Sequence, residues 1–145
     1  MKALTIWQPW ASLWLSPAKV HETRGWWTNV RGEIAVHAAK KFAHAELDEE
    51  IHPIIRKHLG ENWLAEVPIG AIIGKLTLVD CKPITGREKT GARPAHVDDM
   101  VCGNWLDGRF AWERAPGFRV FNKPIPYRGR QGWFEVPDEL VRSAA

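Results

Sequence analysis

Cysteine, tyrosine and long apolar runs are all scarce in this chain of 145 residues, which has two cysteines and one tyrosine. Cys81 and Cys102 show neither a C-x-x-C spacing nor the density of a disulfide-rich secreted scaffold, so we expect buried or free thiols. The apolar stretch at residues 4–15 is broken by proline and polar residues and lacks a signal-peptide flank. We therefore expect no membrane span and a cytoplasmic protein.

A strong excess of charge of one sign is also absent, because 20 Lys and Arg stand against 17 Asp and Glu, for a net charge of +3. This is too little to hold duplex DNA by bulk electrostatics, so any nucleic-acid site must be local. The chain has no repeat, linker or low-complexity segment, and its length is typical of one domain. We expect a single domain over residues 1–145.

Metal-binding patterns are missing as well. The six histidines form no H-x-H or H-E-x-x-H pattern, so we expect no metal site and no cofactor. His21 and His37 are the two histidines placed to titrate near neutrality beside the segment that carries unusual chemistry. The others are expected to be surface residues.

Tryptophan, in contrast, is abundant, with nine tryptophans beside five phenylalanines and one tyrosine. Its flat ring fills protein cores and also forms platforms for stacked bases. We expect five or six of the nine to be structural. Trp105 follows a Gly-Asn turn and is the better candidate for exposure, whereas Trp112 is expected in the core, with Phe110 and Tyr127 as further candidates for a stacking face.

The pattern of apolar residues predicts an α+β chain in which strands dominate. Helices are predicted at residues 9–15, within 43–60 with a kink or a new start at Pro53, and after Pro137. Residues 85–98 read as a polar loop. Strands are predicted at residues 2–6, 26–29, 33–38, 70–81, 108–113, 118–120 and 133–136. We expect five or six strands in a small barrel with the helices of 43–60 packed on it.

Lys19, Glu22 and Arg24 form a compact charged group. In a strand, Glu22 and Arg24 point to the same side, and Lys19 can curl back to them from the preceding turn. Such a lysine can bind a phosphate or carbonyl oxygen, act as a base, or belong to a surface ion network. Spacing alone favours the surface network.

Four motifs carry a resemblance to a known family: Q-P-W-A-S at residues 8–12, K-x-x-E-x-R from Lys19 to Arg24, the pair W-x-T and R-G ending at Gly32, and the stretch 68–81. Together they resemble the ASCH domain, the activating signal cointegrator 1 homology domain, of the PUA-like superfamily. The resemblance spans nearly the whole chain. It implies a PUA-like small antiparallel or mixed β-barrel with flanking helices, and a cleft for RNA, single-stranded nucleic acid or a nucleotide.

The resemblance also implies a site, in which Lys19, Glu22 and Arg24 line the cleft and the segment from Gln8 to Trp10 forms its other wall. Lys40 and Lys41 stand where a phosphate contact is possible after the strand that ends near Ala38, with a solvated helix entry as the equal alternative. The predicted nucleic-acid contacts are Gln8, Trp10, Lys19, Arg24, Trp26, Arg31, Lys40 and Trp105. Further basic residues near loops that could flank the cleft are Lys82, Arg87, Lys89, Arg93, Arg128 and Arg130.

Hydrolysis is the alternative function, because some members of the family remove the acetyl group of N4-acetylcytidine and another is described as a ribonuclease. Lys19 and Glu22 would then be catalytic. Glu22, however, stands where the deacetylating members have a Thr nucleophile, and Thr23 is expected on the opposite side of the strand. Pro17 also replaces a glycine found in many members. We therefore favour binding, with a hydrolase second and a protein-interaction module third.

Overall fold

A mixed six-stranded sheet with short flanking helices forms the fold in the computed structural model, which describes residues 1–86, 90–142 and 144. Arg87 and Lys89, predicted near the cleft, lie outside the described residues. The strands are β1 Lys2–Gln8, β2 His21–Arg24, β3 Gly32–Phe42, β4 Ala71–Pro83, β5 Phe110–Pro126 and β6 Trp133–Glu135. The helices are α1 Trp10–Trp14, α2 Ile51–Leu59, α3 Trp63–Glu66, α4 Val97–Val101 and α5 Asp138–Arg142, with a 3₁₀ turn at His44–Glu46.

The strand order is β2-β5-β4-β3-β1-β6, with β1 parallel to β3 and every other neighbouring pair antiparallel. β3 is central, and its alternate residues face two different apolar clusters. Ile34 and Val36 pack in the cluster that contains Trp14, whereas Ala35 packs with Phe134 on the other face. Burial on both faces explains why β3 reads as a nearly continuous apolar run.

The sheet is not closed into a barrel, so this part of the fold prediction is wrong. Within the described residues no backbone ladder joins β2 to β6, and these short strands remain the two edges. Side chains make the connection instead. The ring of Trp133 on β6 stacks on Trp112, and its Nε1 donates a hydrogen bond to Thr28, four residues after β2.

Three predicted strands also need correction. Residues 26–29 are irregular and do not form a strand. The carbonyl oxygen of Trp26 accepts a hydrogen bond from Nε1 of Trp112, and the hydroxyl of Thr28 accepts one from Nε1 of Trp133, so these groups are engaged by side chains and not by a ladder. Residues 108–113 and 118–120 belong to one strand, β5. The chain passes through Pro116 by a bulge, in which Leu76 pairs with Phe118 while Leu78 pairs with Arg114.

The segment 43–60 contains a 3₁₀ turn and then α2, which ends at Gly60 with φ of 95°. Pro53 is the third residue of α2, where its missing N–H costs no intrahelical hydrogen bond. α2 packs on α1 through Ile51, Ile55 and Leu13, and α1 in turn lies on β1 and β3. α2 therefore reaches the sheet through α1, and the same apolar cluster includes Phe42 at the end of β3. No helix in the described part of the chain is long and apolar enough to cross a membrane.

Candidate functional site

A cleft of about 1150 Å³ opens between the unpaired edges of β1 and β2. β6 pairs with β1 only at residues 2–4. In the described part of the chain, Thr5, Ile6 and Trp7 therefore have no neighbouring strand on that side, and they line the cleft. Residues 22–26, on and after the edge strand β2, line it from the opposite side. The cleft thus lies in the gap that a closed barrel would have filled.

Three charged side chains join end to end at the floor of the cleft. Nζ of Lys19 lies 3.0 Å from Oε1 of Glu22, and Oε2 of Glu22 lies 3.1 Å from Nη1 of Arg24. The sequence prediction that these groups meet agrees with this geometry. A surface ion network does not describe it, because Lys19 is only 1% exposed and Glu22 only 6%.

Lys19 tolerates burial because its ammonium group is well surrounded. It donates a hydrogen bond of 2.7 Å to the carbonyl oxygen of Cys102 and lies 5.0 Å from the centre of the Trp10 ring. A buried ammonium needs such partners, since removing it from water without them is costly. Two of its three N–H groups therefore have acceptors, the carbonyl oxygen of Cys102 and Oε1 of Glu22, and the Trp10 ring stabilises the charge.

Tryptophan rings surround the charged floor. The guanidinium of Arg24 lies 5.5 Å from the Trp26 ring and 5.6 Å from the Trp112 ring. Trp10 and Trp105, both half-buried, line the cleft, and Trp26 does so with 37% of its surface exposed. Trp112 is fully buried, as expected, so it supports Trp26 from below and offers no free face.

Asp99 anchors the segment 95–105, of which residues 101–105 form a wall of the cleft. Its buried carboxylate accepts hydrogen bonds from the backbone N–H groups of Val20, His21 and Ala95, and from Nδ1 of His21 at 2.7 Å. Burial alone would raise the pKa of Asp99, but these hydrogen bonds lower it to about 2. The His21 ring also meets Trp105 edge to face at 5.3 Å. His21 therefore lies behind the wall and supports it.

His37 holds the segment that follows β5. Its Nε2 donates to the carbonyl oxygen of Tyr127 at 2.7 Å, so its Nδ1 accepts from the Thr5 hydroxyl at 3.1 Å. Burial lowers the pKa of His37, which favours the neutral ring that these contacts require. A side chain at Gly129 would come within 2.6 Å of the ring, so the backbone there passes close by. His37 positions the stretch that carries Arg130 to the cleft.

The charges of the cleft are mixed. Arg109 lines it without having been predicted, and its Nη2 donates to the carbonyl oxygen of Thr23 at 3.1 Å. In the described part of the chain, Nε of both Arg24 and Arg109 is buried without a hydrogen-bond partner. Arg109 immediately precedes β5 and belongs to none of the sequence motifs, so no motif indicates that it lines the cleft. The charged residues of the lining are Lys19, Arg24, Arg109, Arg130, Glu22, Glu46 and Asp48.

Three of the predicted contacts lie elsewhere. Gln8 is fully buried, with Nε2 donating to Ser12 and to the carbonyl oxygen of Pro68, so its predicted place on the cleft wall is corrected to a structural one. Arg31 is exposed outside the cleft and donates to backbone carbonyls. Lys40 is exposed and its stem lies against Gly70. The predicted contacts that do line the cleft are Trp10, Lys19, Arg24, Trp26 and Trp105.

A smaller cavity of about 220 Å³ lies beside His21 and includes Lys82 and Arg93 in its lining. Arg128 lines neither of these two cavities. Across the described ranges, no three His, Cys, Asp or Glu side chains are grouped to hold a metal ion. Burial raises the pKa of the Cys102 thiol to about 11, so this thiol beside Lys19 stays protonated.

Thr23 also borders the cleft, although the alternation of β2 predicts it on the opposite side from Glu22. Its hydroxyl accepts a hydrogen bond of 2.8 Å from the backbone N–H of Asn104. Glu22 and Thr23 both line the cleft. This is possible because β2 is an edge strand, so the cleft is open to both of its faces. Thr23 thereby joins β2 to the wall at residues 103–105.

Comparison with known proteins identifies two matches. The family model of the ASCH domain matches residues 4–125. Activating signal cointegrator 1 of Homo sapiens is 31% identical over 80 residues, which are 54% of this chain. The match covers 14% of that relative's length, so the two proteins share one region.

Proposed function

The chain belongs to the ASCH domain family, a family associated with RNA and nucleic-acid binding, and from this we propose that it binds single-stranded nucleic acid, RNA above all. In this proposal one base enters the cleft between tryptophan rings, above the pair formed by Lys19 and Glu22. One flanking phosphate lies toward the guanidinium groups of Arg24, Arg109 and Arg130.

The observation that carries the proposal is that one cleft contains both flat aromatic rings and a polar floor. Trp10, Trp26 and Trp105 line the same space, and a base stacked on such a ring gains about 1–3 kcal/mol. The floor offers polar groups for the edge of a base, because Lys19 has one N–H beyond its contacts with Glu22 and Cys102, and each Glu22 oxygen has a lone pair beyond its one ionic contact.

The distribution of charge favours a single strand over a duplex. Four cationic and three acidic side chains line the cleft, so the local field is only weakly positive. Duplex binding relies on many phosphate contacts, whereas a single strand is held by stacking together with a few such contacts. Lys19 is too deeply buried to serve as the main phosphate contact, which leaves that role to the more accessible arginines. Arg31 and Lys40, exposed outside the cleft, are proposed to contact the backbone of a longer strand.

Hydrolysis of a modified nucleoside or of RNA is the second candidate. The observation in its favour is the buried contact of 3.0 Å between Lys19 and Glu22, a pair that can polarise a carbonyl and accept a proton from water. Both oxygens of Glu22 already accept ionic contacts, and the Thr23 hydroxyl is engaged with Asn104. These commitments favour binding over turnover.

The test is fluorescence anisotropy with a short single-stranded RNA of mixed sequence and with its duplex. We expect tighter binding of the single strand, and a loss of affinity in Arg24→Ala that is absent from Arg119→Ala, a change at an exposed arginine outside the cleft. Thermal melting checks that both variants are folded. Equal affinity for both ligands, or equal effects of both substitutions, would contradict the proposal.

A further arm of the experiment addresses hydrolysis. The protein is incubated with an RNA pool and with acylated nucleosides, and the products are identified by mass spectrometry. We expect the substrates to be recovered unchanged. Multiple turnovers of either substrate would favour the second candidate.

A further inference from the structure

Trp7 is an exposed aromatic residue that the site described above leaves unexplained. It occupies an outward position of β1, where Leu4, Ile6 and Gln8 are buried and Trp7 is 48% exposed. An indole that leaves this much apolar surface in water contributes little to the core. Its ring nevertheless lines the cleft, so it belongs to the same continuous surface as Trp10.

Lys41 gives this ring a charged partner. Nζ of Lys41 lies 5.6 Å from the centre of the Trp7 ring, and Lys41 itself is exposed and is not part of the cleft lining. Within the described residues, no ion pair with a carboxylate is found for Lys41, so its charge is free for another anion. An aromatic face beside an uncommitted ammonium group suits a nucleotide, whose base stacks and whose phosphate is anionic.

The carboxylates at this end of the cleft are already engaged. Oε2 of Glu46 accepts a hydrogen bond from Nε1 of Trp10, and Oδ1 of Asp48 accepts from the backbone at the start of α2. They disfavour a phosphate inside the cleft near Trp10, because like charges repel. A phosphate linking a base in the cleft to a neighbouring base would therefore lie outside, on the side of Lys41.

We propose that Trp7 and Lys41 form a second nucleotide subsite at the rim of the cleft, which makes the ligand an oligonucleotide of at least two nucleotides and not a free nucleoside. This inference rests on the proposed function, since it assumes that the cleft takes the first base. Trp7 stacks the neighbouring base and Lys41 contacts the phosphate between the two.

The experiment compares Trp7→Ala with Trp27→Ala, a matched control because Trp27 is 53% exposed and does not line the cleft. Each protein is titrated with a mononucleotide and with a short single-stranded RNA. We expect Trp7→Ala to weaken RNA binding by about 5- to 150-fold, the loss of one stacked base, and to leave mononucleotide binding unchanged. Trp7→Phe should restore most of the affinity, and Trp27→Ala should change neither ligand.

A second pair of variants tests the phosphate contact. Lys41→Ala should weaken RNA binding and reduce its dependence on salt, whereas Lys57→Ala, at an exposed lysine of α2 outside the cleft, should not. Mononucleotide binding should be the same in both variants. Equal effects of the two substitutions would contradict the role of Lys41.

The outcomes separate this inference from the proposed function. If the wild-type protein binds the mononucleotide and the RNA equally tightly, or if Trp7→Ala weakens both alike, the second subsite is wrong while the cleft still binds a base. If the wild-type protein binds neither ligand, the proposed function fails and the second subsite fails with it.

Discussion

Trp112 and Trp133 stack with their ring centres 5.5 Å apart and their planes inclined by 17°, although they lie on β5 and β6, which are not neighbours in the sheet. Nε1 of Trp112 donates to the carbonyl oxygen of Trp26, and Nε1 of Trp133 donates to the hydroxyl of Thr28. Both indoles thus bind the segment that follows β2. Among the described residues, aromatic side chains connect the two sheet edges, and no backbone ladder does.

Trp133→Ala should reduce the free energy of unfolding by about 3 kcal/mol, the lower end of the range for this truncation, because Trp133 is half-buried. The measurement is urea denaturation followed by circular dichroism. Trp27→Ala, at an exposed tryptophan outside this stack, should stay within about 0.5 kcal/mol of the wild type. A similar loss in both variants would show that the stack does not hold the edges.

Glu22→Gln should leave the affinity for single-stranded RNA unchanged or raise it, because it removes a negative charge between Lys19 and Arg24. If the cleft instead hydrolyses its ligand, the same substitution should abolish product formation while binding persists. Anisotropy and product analysis on the same variant distinguish the two cases. Glu46→Gln, which removes a carboxylate at the rim, is the control that should not affect turnover.

Arg130→Ala should weaken binding of single-stranded RNA and reduce the slope of log K against log salt by about 0.7, the value for one phosphate contact on a single strand. Arg130 is exposed and lines the cleft, on the stretch that His37 positions there, whereas Arg128 on the same stretch does not line it. Titrations at several salt concentrations measure the slope. An unchanged slope would show that Arg130 does not contact a phosphate. Arg119→Ala, at an exposed arginine outside the cleft, is the control whose slope should equal that of the wild type.

Folding stability should fall as the pH is lowered from about 4 towards 2 because of Asp99. The pKa of Asp99 is about 2 in the folded protein and 3.8 in the reference state, so the unfolded chain binds the proton first. The contribution is therefore complete above pH 3.8 and is lost as the pH approaches 2. Urea denaturation across this pH range should show that the free energy of unfolding depends less on pH in Asp99→Asn than in Asp98→Asn.

Local patterns in the sequence predicted most strands, because a strand depends on neighbours within a few residues. The meeting of Lys19, Glu22 and Arg24 at a cleft was predicted from their spacing together with the family resemblance, whereas spacing alone favoured a surface network. The continuity of β5 could not be predicted in this way. Pro116 and Gly117 ordinarily end a strand, and only the bulge opposite β4 carries the chain past them. The open sheet was missed for a similar reason, since closure depends on how distant edges meet.

The cleft wall at residues 101–105 could not be predicted from the sequence, because a residue distant from β2 holds it in place. Asp99 is 78 positions from His21, and nothing in its local sequence indicates that it joins residues 95–105 to β2. Arg109 was missed because it lies in no motif. Gln8 was misassigned because its motif position was read as a ligand contact, whereas its amide holds α1 to Pro68.

The pairing of β1 with β6 joins Lys2 to Glu135, across almost the whole chain. β1 is translated well before β6, so the hydrogen bonds between them form only after the residues between the two strands have been synthesised. Arg130 and Trp133 arrive at the same late stage. Until then the edge of β1 from Lys2 to Leu4 has no partner, and its unpaired backbone N–H and C=O groups are open to pairing with another strand.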